Sequence, residues 1–558
     1  MDIKSSLRLC LLCTALILFA GISGPACAAT SIPFTVTMSE SVNVTGTPRI
    51  VLDVDGTTRY ATYASGSGTA TLTFTYNATS GDLDLNGIGI ASTSVDVNGG
   101  TITDLNGNAL TNLTFVAPNT SAVKIDYPSI AMDFTTDADG RFSLGGIVYN
   151  DVTSFLSAAG GSFSRASTAT YFNSTGTLQT AATNTPRLDY NPATLAARGL
   201  LIEESSTNYT KNSGFSSLTG GTYTTDQSFT NWFLDFPSGV TSQSATITSG
   251  SANGIPYLDI RLQATNSAAS TQYITFNPSV AADSMAVVNG DISVVSAWFG
   301  ISSYSSTGGT CGVNLSNRSM TSATGYITST DLSFTATNTY QQRVTSSLTH
   351  GATAAYAALW TFISIPVGVT CDITYRLGAP QIEKIATATS YIPTPANATA
   401  SRSADNFTIP TGAWFNSAAG MLYGQSLNGT KSATVGVVAF DQTGSTGTER
   451  ITLIRTSATA IEAQVRNTAG VQFFFGMAAN GNNAVNKSAM AFTLNNMRSS
   501  NNGSLAALDT TAVMPTINEL RLGTWGGNSS SVIYDGWIQK VKYYPVRGSD
   551  TQLQLLTQ

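Results

Sequence analysis

Residues Gly161–Tyr209 read GSFSRASTATYFNSTGTLQTAATNTPRLDYNPATLAARGLLIEESSTNY, and they break the run of Thr, Ser, Ala and Gly around them. Alternation at Thr168, Thr170 and Phe172 predicts a strand, Asn173-Ser174-Thr175-Gly176 a turn, and Thr177–Thr180 an antiparallel return. Extended pieces follow at Pro186–Tyr190 and Gly199–Glu203. Charge is scarce in this chain, yet Arg165, Arg187, Asp189, Arg198, Glu203 and Glu204 all fall here. The expected use is structural. Arg165 or Arg187 paired with Asp189 or Glu203 satisfies polar groups at a buried corner between sheets. Glu203 and Glu204 are strand neighbours and point to opposite faces, so they cannot serve one substrate together.

The FSRAST, TPRLDY, RGLLIEE and TN elements resemble the recurring core of β-sandwich modules in phage tail-fibre and head-spike proteins and in exported bacterial relatives. That resemblance implies a carbohydrate-facing or surface-binding module and names no ligand.

Working outward, 558 residues suit several domains. Only 10% of residues are charged and the net charge is −6, so no basic stripe exists to meet nucleic acid or anionic lipid. Lys4 and Arg8, the apolar run Leu9–Ile22 and Ala26-Cys27-Ala28 read as a signal peptide over residues 1–28. A lipoprotein signal on Cys27 is the alternative, but Gly24 stands where an aliphatic residue is expected. No later run is long enough to span a bilayer as a helix. The protein is therefore expected to be secreted or at the cell surface. Its two mature cysteines, Cys311 and Cys371, are expected to form a disulfide, with two buried thiols as the alternative.

The fold class expected is all-β, with tandem antiparallel sandwiches. Residues 30–118 alternate at Phe34, Val36 and Met38, turn at Asp55-Gly56 and alternate again through Leu72, Phe74 and Tyr76. FTVTMSESVNVTGTP, TTRYATYASGSGTATLTFTY, GDLDLNG and GGTITDLNGNAL resemble Ig-like repeats of bacterial surface adhesins, which implies a spacer or binding module. Asp82, Asp84 and Asn86 before Gly87 match the opening of a calcium loop, although position twelve is Thr93 and no helix flanks it. A solvated turn and Ca²⁺ binding both stay open there; no other cofactor is expected.

Residues 119–207 connect to a module at 208–395, and 396–558 form the last domain. In the connecting region Ser154–Ala159 can make one helical turn, stopped by Gly160-Gly161. GIPYLDIRLQAT and RLGAPQIEKIATATSYIPT resemble a jelly-roll carbohydrate-binding-type domain. In the last domain Asn502-Gly503 is a hairpin turn. ELRLGT, the Gly536-Trp537-Ile538 strand and a terminal helix over Asp550–Leu556 resemble a concanavalin A-like (laminin-G-like) lectin or glucanase sandwich.

Trp298 and Trp360 are expected in the core, as is Trp537. Trp232, Trp414 and Trp525 lie in turn-flanked segments and are the candidate ligand platforms. Sandwich glucanases use alternating E-x-D-x-E carboxylates, and this chain has none. Its one His, His350, is expected in a loop, and neither a Ser-His-Asp site nor a zinc site can be assembled from it. The reading is a non-catalytic, exported adhesion-type protein whose partner is a glycan or cell-surface polysaccharide. A phage-like receptor-binding or structural surface protein and a secreted polysaccharide-degrading enzyme are the alternatives. Oligomeric state is not legible.

Overall fold

The structure, a computed structural model, describes residues 31–558 and the backbone of Ser6–Arg8, apart from 137–139, 280–282, 323–324, 337–342, 430, 432, 445–446 and 527–531. The signal-peptide reading over residues 1–28 falls outside the described residues except for that short backbone piece. The chain is a multi-module, all-β protein with two short helices among the described residues, Val152–Ala159 and Asp550–Leu556. No helix among those residues is long and apolar enough to cross a membrane.

The first module is built on the long strand Ser31–Thr45. Its first half pairs with Thr69–Asn77 and its second half with Thr101–Asp104, so one strand serves two parts of the sheet. Val54 pairs with Thr57 around Asp55-Gly56, both at positive φ (47° and 78°), which is the backbone a two-residue hairpin requires. Phe34, Val36, Leu72 and Phe74 fill the core together with Ile125 and Tyr127. The module therefore runs past the expected boundary at 118, because Ile125–Asp126 pairs with Leu83–Asp84.

The middle module is a two-sheet sandwich. One sheet runs 221–223, 240–252, 255–266, 370–383, 292–307 and 343–349; the other runs 227–229, 232–235, 272–278, 356–365, 312–320 and 326–334. Strict alternation in Tyr356–Ile365 sends Thr361, Ile363 and Ile365 into the core and Trp360, Phe362 and Ser364 to the outer face. The Cys311–Cys371 disulfide bridges the two sheets inside this core.

The expected split between a connecting region at 119–207 and a last domain at 396–558 is corrected by the strand order. Gly536–Tyr544 pairs with Ile130–Asp133 on one part of its length and with Ala197–Ile202 on another. Its other edge carries Ala419–Leu427. In the facing sheet, Ser162–Ser164 pairs with Asn406–Pro410. Residues 130–202 and 405–558 thus make one sandwich around one core. The middle module is inserted in it, and its neck is the antiparallel pair Ser206–Asn208 and Ala400–Arg402.

Candidate functional site

Of the three tryptophans expected as platforms, two are buried and one is half-buried. Trp232 is fully buried and stacks on Phe276 at 5.0 Å. Phe229 pairs directly with Trp232, so Thr230-Asn231 is a tight turn and the indole is the first inward residue of its strand. Trp414 is buried against Phe440 and Tyr543. Trp525 is half-buried, with the Arg450 guanidinium 4.0 Å from its ring centre.

The calcium candidates are also consumed by the protein. Asp82 accepts from the Thr79 amide at 2.7 Å, from Arg59 and from the Tyr76 hydroxyl. Asp84 accepts the amides of Asp55 and Gly87, and Asn86 accepts from Gln552 of the terminal helix. These oxygens close a buried turn and dock the first module on the last. Among the described residues there is no cluster of three His, Cys, Asp or Glu side chains placed to hold a metal. His350 is a loop residue just past the strand Arg343–Thr349, and it is buried, bridging Ser319 and Ser293 at 3.1 and 2.8 Å.

The corner charges form a network at the neck of the inserted module. Arg187 meets Glu203 at 2.7 Å and Asp405 at 2.6 Å, Arg165 meets Asp405 at 3.1 Å, and Arg402 meets Glu203 at 3.0 Å. Burial alone would raise the Glu203 pKa; Arg402 and Arg187 outweigh it and hold the carboxyl at about 2. Asp189 does not join this group. It accepts the Phe172 amide at 2.7 Å and the Trp537 indole N–H at 2.9 Å, with Arg198 at 3.8 Å. Trp537 is consequently not a core residue: half-buried, with Arg198 4.6 Å from its ring centre, it lines a cleft between the middle and last modules. That cleft measures about 920 Å³ and is also lined by Tyr171, Arg343 and Ser390. Its acids, Asp189, Glu203 and Asp535, are each engaged by a cation or an amide.

A second surface carries aromatic rings outward. On the outer face of the middle module, Trp360 lies opposite Ser316, Tyr273 opposite Ser364, and Arg318 opposite Ala358. Arg318 rests 4.1 Å from the Trp360 ring centre, 4.9 Å from Phe362 and 5.6 Å from Tyr326. Tyr273 is 48% exposed and Tyr326 58% exposed. Between them the same face presents the exposed Asp331 and Ser333, which bond the buried Ser316 and Asn314 beneath them at 2.5 Å each. The opposite sheet of the module differs in kind: its outer face is tied by Arg376–Asp259 and Arg261–Asp372 ion pairs. Trp360, expected in the core, is half-buried and outward. Its register was readable from Ile363 and Ile365, which fix the inward phase of the strand.

A family model described as "Putative Ig domain" matches residues 365–456. That stretch lies downstream of the Ig-like segment read at 30–118 and spans the end of the middle module and the start of the closing sandwich. No curated protein sequence matches the chain. Among solved structures, the CBM40 of Ruminococcus gnavus IT-sialidase bound to α2,6-sialyllactose is 17% identical, covering 26% of this chain and 85% of that one at a TM-score of 0.23. A leech intramolecular trans-sialidase is 18% identical over 25% of this chain and 23% of that one, at 0.22. The tandem CBM22 domain of Paenibacillus barcinonensis Xyn10C is 10% identical, with 59% and 97% coverage, at 0.17. At these scores the likenesses decide neither arrangement nor ligand.

Proposed function

We propose that this is an exported, non-catalytic glycan-binding protein of the adhesion type, acting at a cell surface through the outer face of its middle module. The observation that carries the proposal is the exposed pair Tyr273 and Tyr326 flanking the half-buried Trp360 and its Arg318, beside the exposed Asp331 and Ser333. Sugar rings have apolar faces that stack on aromatics, and hydroxyls that need donors and acceptors at their rim. A flat sheet face supplies both. The disulfide supports an oxidising compartment. The non-catalytic reading draws support from the commitments of the cleft acids, each of which is already held by a cation or an amide.

The test is a glycan array probed with the chain lacking residues 1–28, followed by calorimetry on the hits. Trp360→Ala and Tyr273→Ala are expected to weaken binding roughly tenfold each, the scale of a lost stacking contact. Release of reducing ends from a bound polysaccharide would make it an enzyme. Binding that survives both substitutions would remove this face from the account and favour the structural-surface reading.

A further inference from the structure

Three neighbouring strands end together at one edge of the closing sandwich. Ile202 pairs with Gly536, and Leu427 pairs with Trp537. The residues just beyond those strand ends are therefore brought to one place: Glu204 after the first strand, Asp535 before the last, and Lys431 in the segment leaving the third. The Lys431 ammonium lies 2.9 Å from Asp535 Oδ2 and 2.9 Å from Glu204 Oε1. The three side chains are 12%, 8% and 14% exposed, so water has little access to any of them. The Glu204 amide donates to Asp535 Oδ1 at 2.6 Å and fixes the carboxyl in place. Ile533 and Tyr534, both fully buried, wall the group on the core side. At Gly429 the backbone approaches Asp535 so closely that a Cβ there would stand 1.8 Å from the Asp535 carbonyl oxygen.

An amine held against a carboxyl group, with a second carboxyl touching that amine and all three side chains largely buried, is the arrangement that condensation to an amide requires. We propose that Lys431 and Asp535 become joined through their side chains by an intramolecular amide bond, with Glu204 moving the protons.

The balance is simple. The ammonium passes a proton to the Asp535 carboxylate by way of Glu204, leaving a neutral amine beside a neutral acid. The Nζ lone pair attacks Cγ, which is one bond beyond the oxygen it already contacts. Glu204 takes a proton from nitrogen and returns it to the departing hydroxyl. One C–N bond forms, one C–O bond breaks and one water leaves; no oxidant or cofactor is needed. Burial first, and the neighbouring Glu204 next, push the Asp535 pKa well upward, which favours the protonated acid. Lys431 is drawn the other way: burial lowers its pKa, but Asp535 and Glu204 more than restore it. The resting state is thus the ion pair, and the reaction draws on the minor neutral pair. Proximity of this kind supplies effective concentrations on the order of 10⁵ M or more, and uncatalysed hydrolysis of an amide is slow, so even a slow step accumulates product. The bond would tie the last strand to the Lys431 segment across an otherwise reversible strand edge.

Intact-mass measurement on the folded, reduced full chain decides the matter, with a peptide map to locate any link. The wild type is expected to be lighter than its sequence by one water and to yield a branched peptide containing Lys431 and Asp535. Lys431→Arg, which keeps the charge, is expected at full mass. Glu204→Gln is expected to link at least about 100-fold more slowly, the usual scale of general acid–base assistance. Folded wild type at full mass, or a water loss mapped to another site, would overturn the proposal. Linking of Glu204→Gln at the wild-type rate would remove Glu204 from the chemistry.

Discussion

Arg187 and Asp405 meet at 2.6 Å with side chains at zero exposure, although 218 residues and an entire inserted module separate them. Asp405 also takes Arg165 and the Glu203 amide, so one carboxylate closes the ring at the neck. Removing it leaves buried Arg165 on backbone carbonyls and buried Arg187 with Glu203 as its carboxylate. Asp405→Ala is expected to cost about 3–5 kcal/mol, the scale of breaking one partner out of a buried ion network. Equilibrium urea unfolding measures it, and a loss below about 1 kcal/mol would show that solvent reaches the neck.

Glu203 makes the same ring sensitive to acid. Its folded pKa is about 2 against an ordinary 4.5, so its stabilisation is complete above about pH 4.5 and is lost as pH falls toward 2. Asp189 and Asp535 run the opposite way. Burial lifts their folded pKa values, so their protonation on acidification favours the folded state and offsets part of that loss. Glu203→Gln should lower stability at pH 6 and flatten its dependence between pH 4.5 and 3. Denaturant midpoints across that range report it; an unchanged slope in the variant would place the acid sensitivity elsewhere.

Local signals were legible where local physics decides. Asn502-Gly503 and Asp55-Gly56 both sit at positive φ between directly paired strands, and Gly160 at φ 65° ends the helix that Asp151 begins. The terminal helix runs over Asp550–Leu556, the residues expected, with Ser549 as its cap. What could not be read is pairing at long range. Nothing in the alternation of Gly536–Tyr544 tells it to lie between strands more than a hundred and more than three hundred residues earlier. Asp405 is illegible for the same reason: it stands outside the charged stretch whose arginines it serves. At Trp232 a two-residue turn has the sequence of a loop, while the next residue already faces the core. At the candidate face, residue type alone places Trp360 in the core, whereas the strand phase set by Ile363 and Ile365 places it outside.

Gly199, within RGLLIEE, shows what a motif glycine can be for. Its φ is 118°, and a Cβ would lie 2.4 Å from the Ile538 carbonyl oxygen of the paired strand. It also sits where the register slips between Asp189 and Tyr190. Gly199→Ala combines a strained backbone with a clash against main chain, and is expected to cost about 1–3 kcal/mol. A thermal unfolding shift of several degrees would agree; a neutral result would mean the bulge relaxes without loss.

The Cys311–Cys371 bond closes a loop of 60 residues within the middle module. In the chain-entropy account that closure is worth about 4 kcal/mol, mostly through the unfolded state. Cys311→Ala with Cys371→Ala should lower the unfolding midpoint of this module and leave the ring at the neck intact. Hydrogen exchange resolved by segment separates the two: faster exchange confined to residues 221–383 fits, whereas equal acceleration in 435–478 would mean that the modules unfold as one unit.

Trp232 and Trp360 divide the labour of indole rings, and their substitutions should separate accordingly. Trp232 is fully buried against Phe276 and Phe215, so Trp232→Ala opens a large cavity and is expected to cost about 3–5 kcal/mol. Trp360 is half-buried on the outer face, where Arg318 shields it. Losing that ring forfeits a cation–π contact of about 0.5–1 kcal/mol and part of its covered area, so Trp360→Ala should be mild in stability and severe in glycan binding. Urea unfolding and calorimetric titration on both variants make a two-by-two comparison. If Trp232→Ala abolished binding while remaining as stable as wild type, or Trp360→Ala unfolded the module, the division between core and ligand face would be drawn in the wrong place.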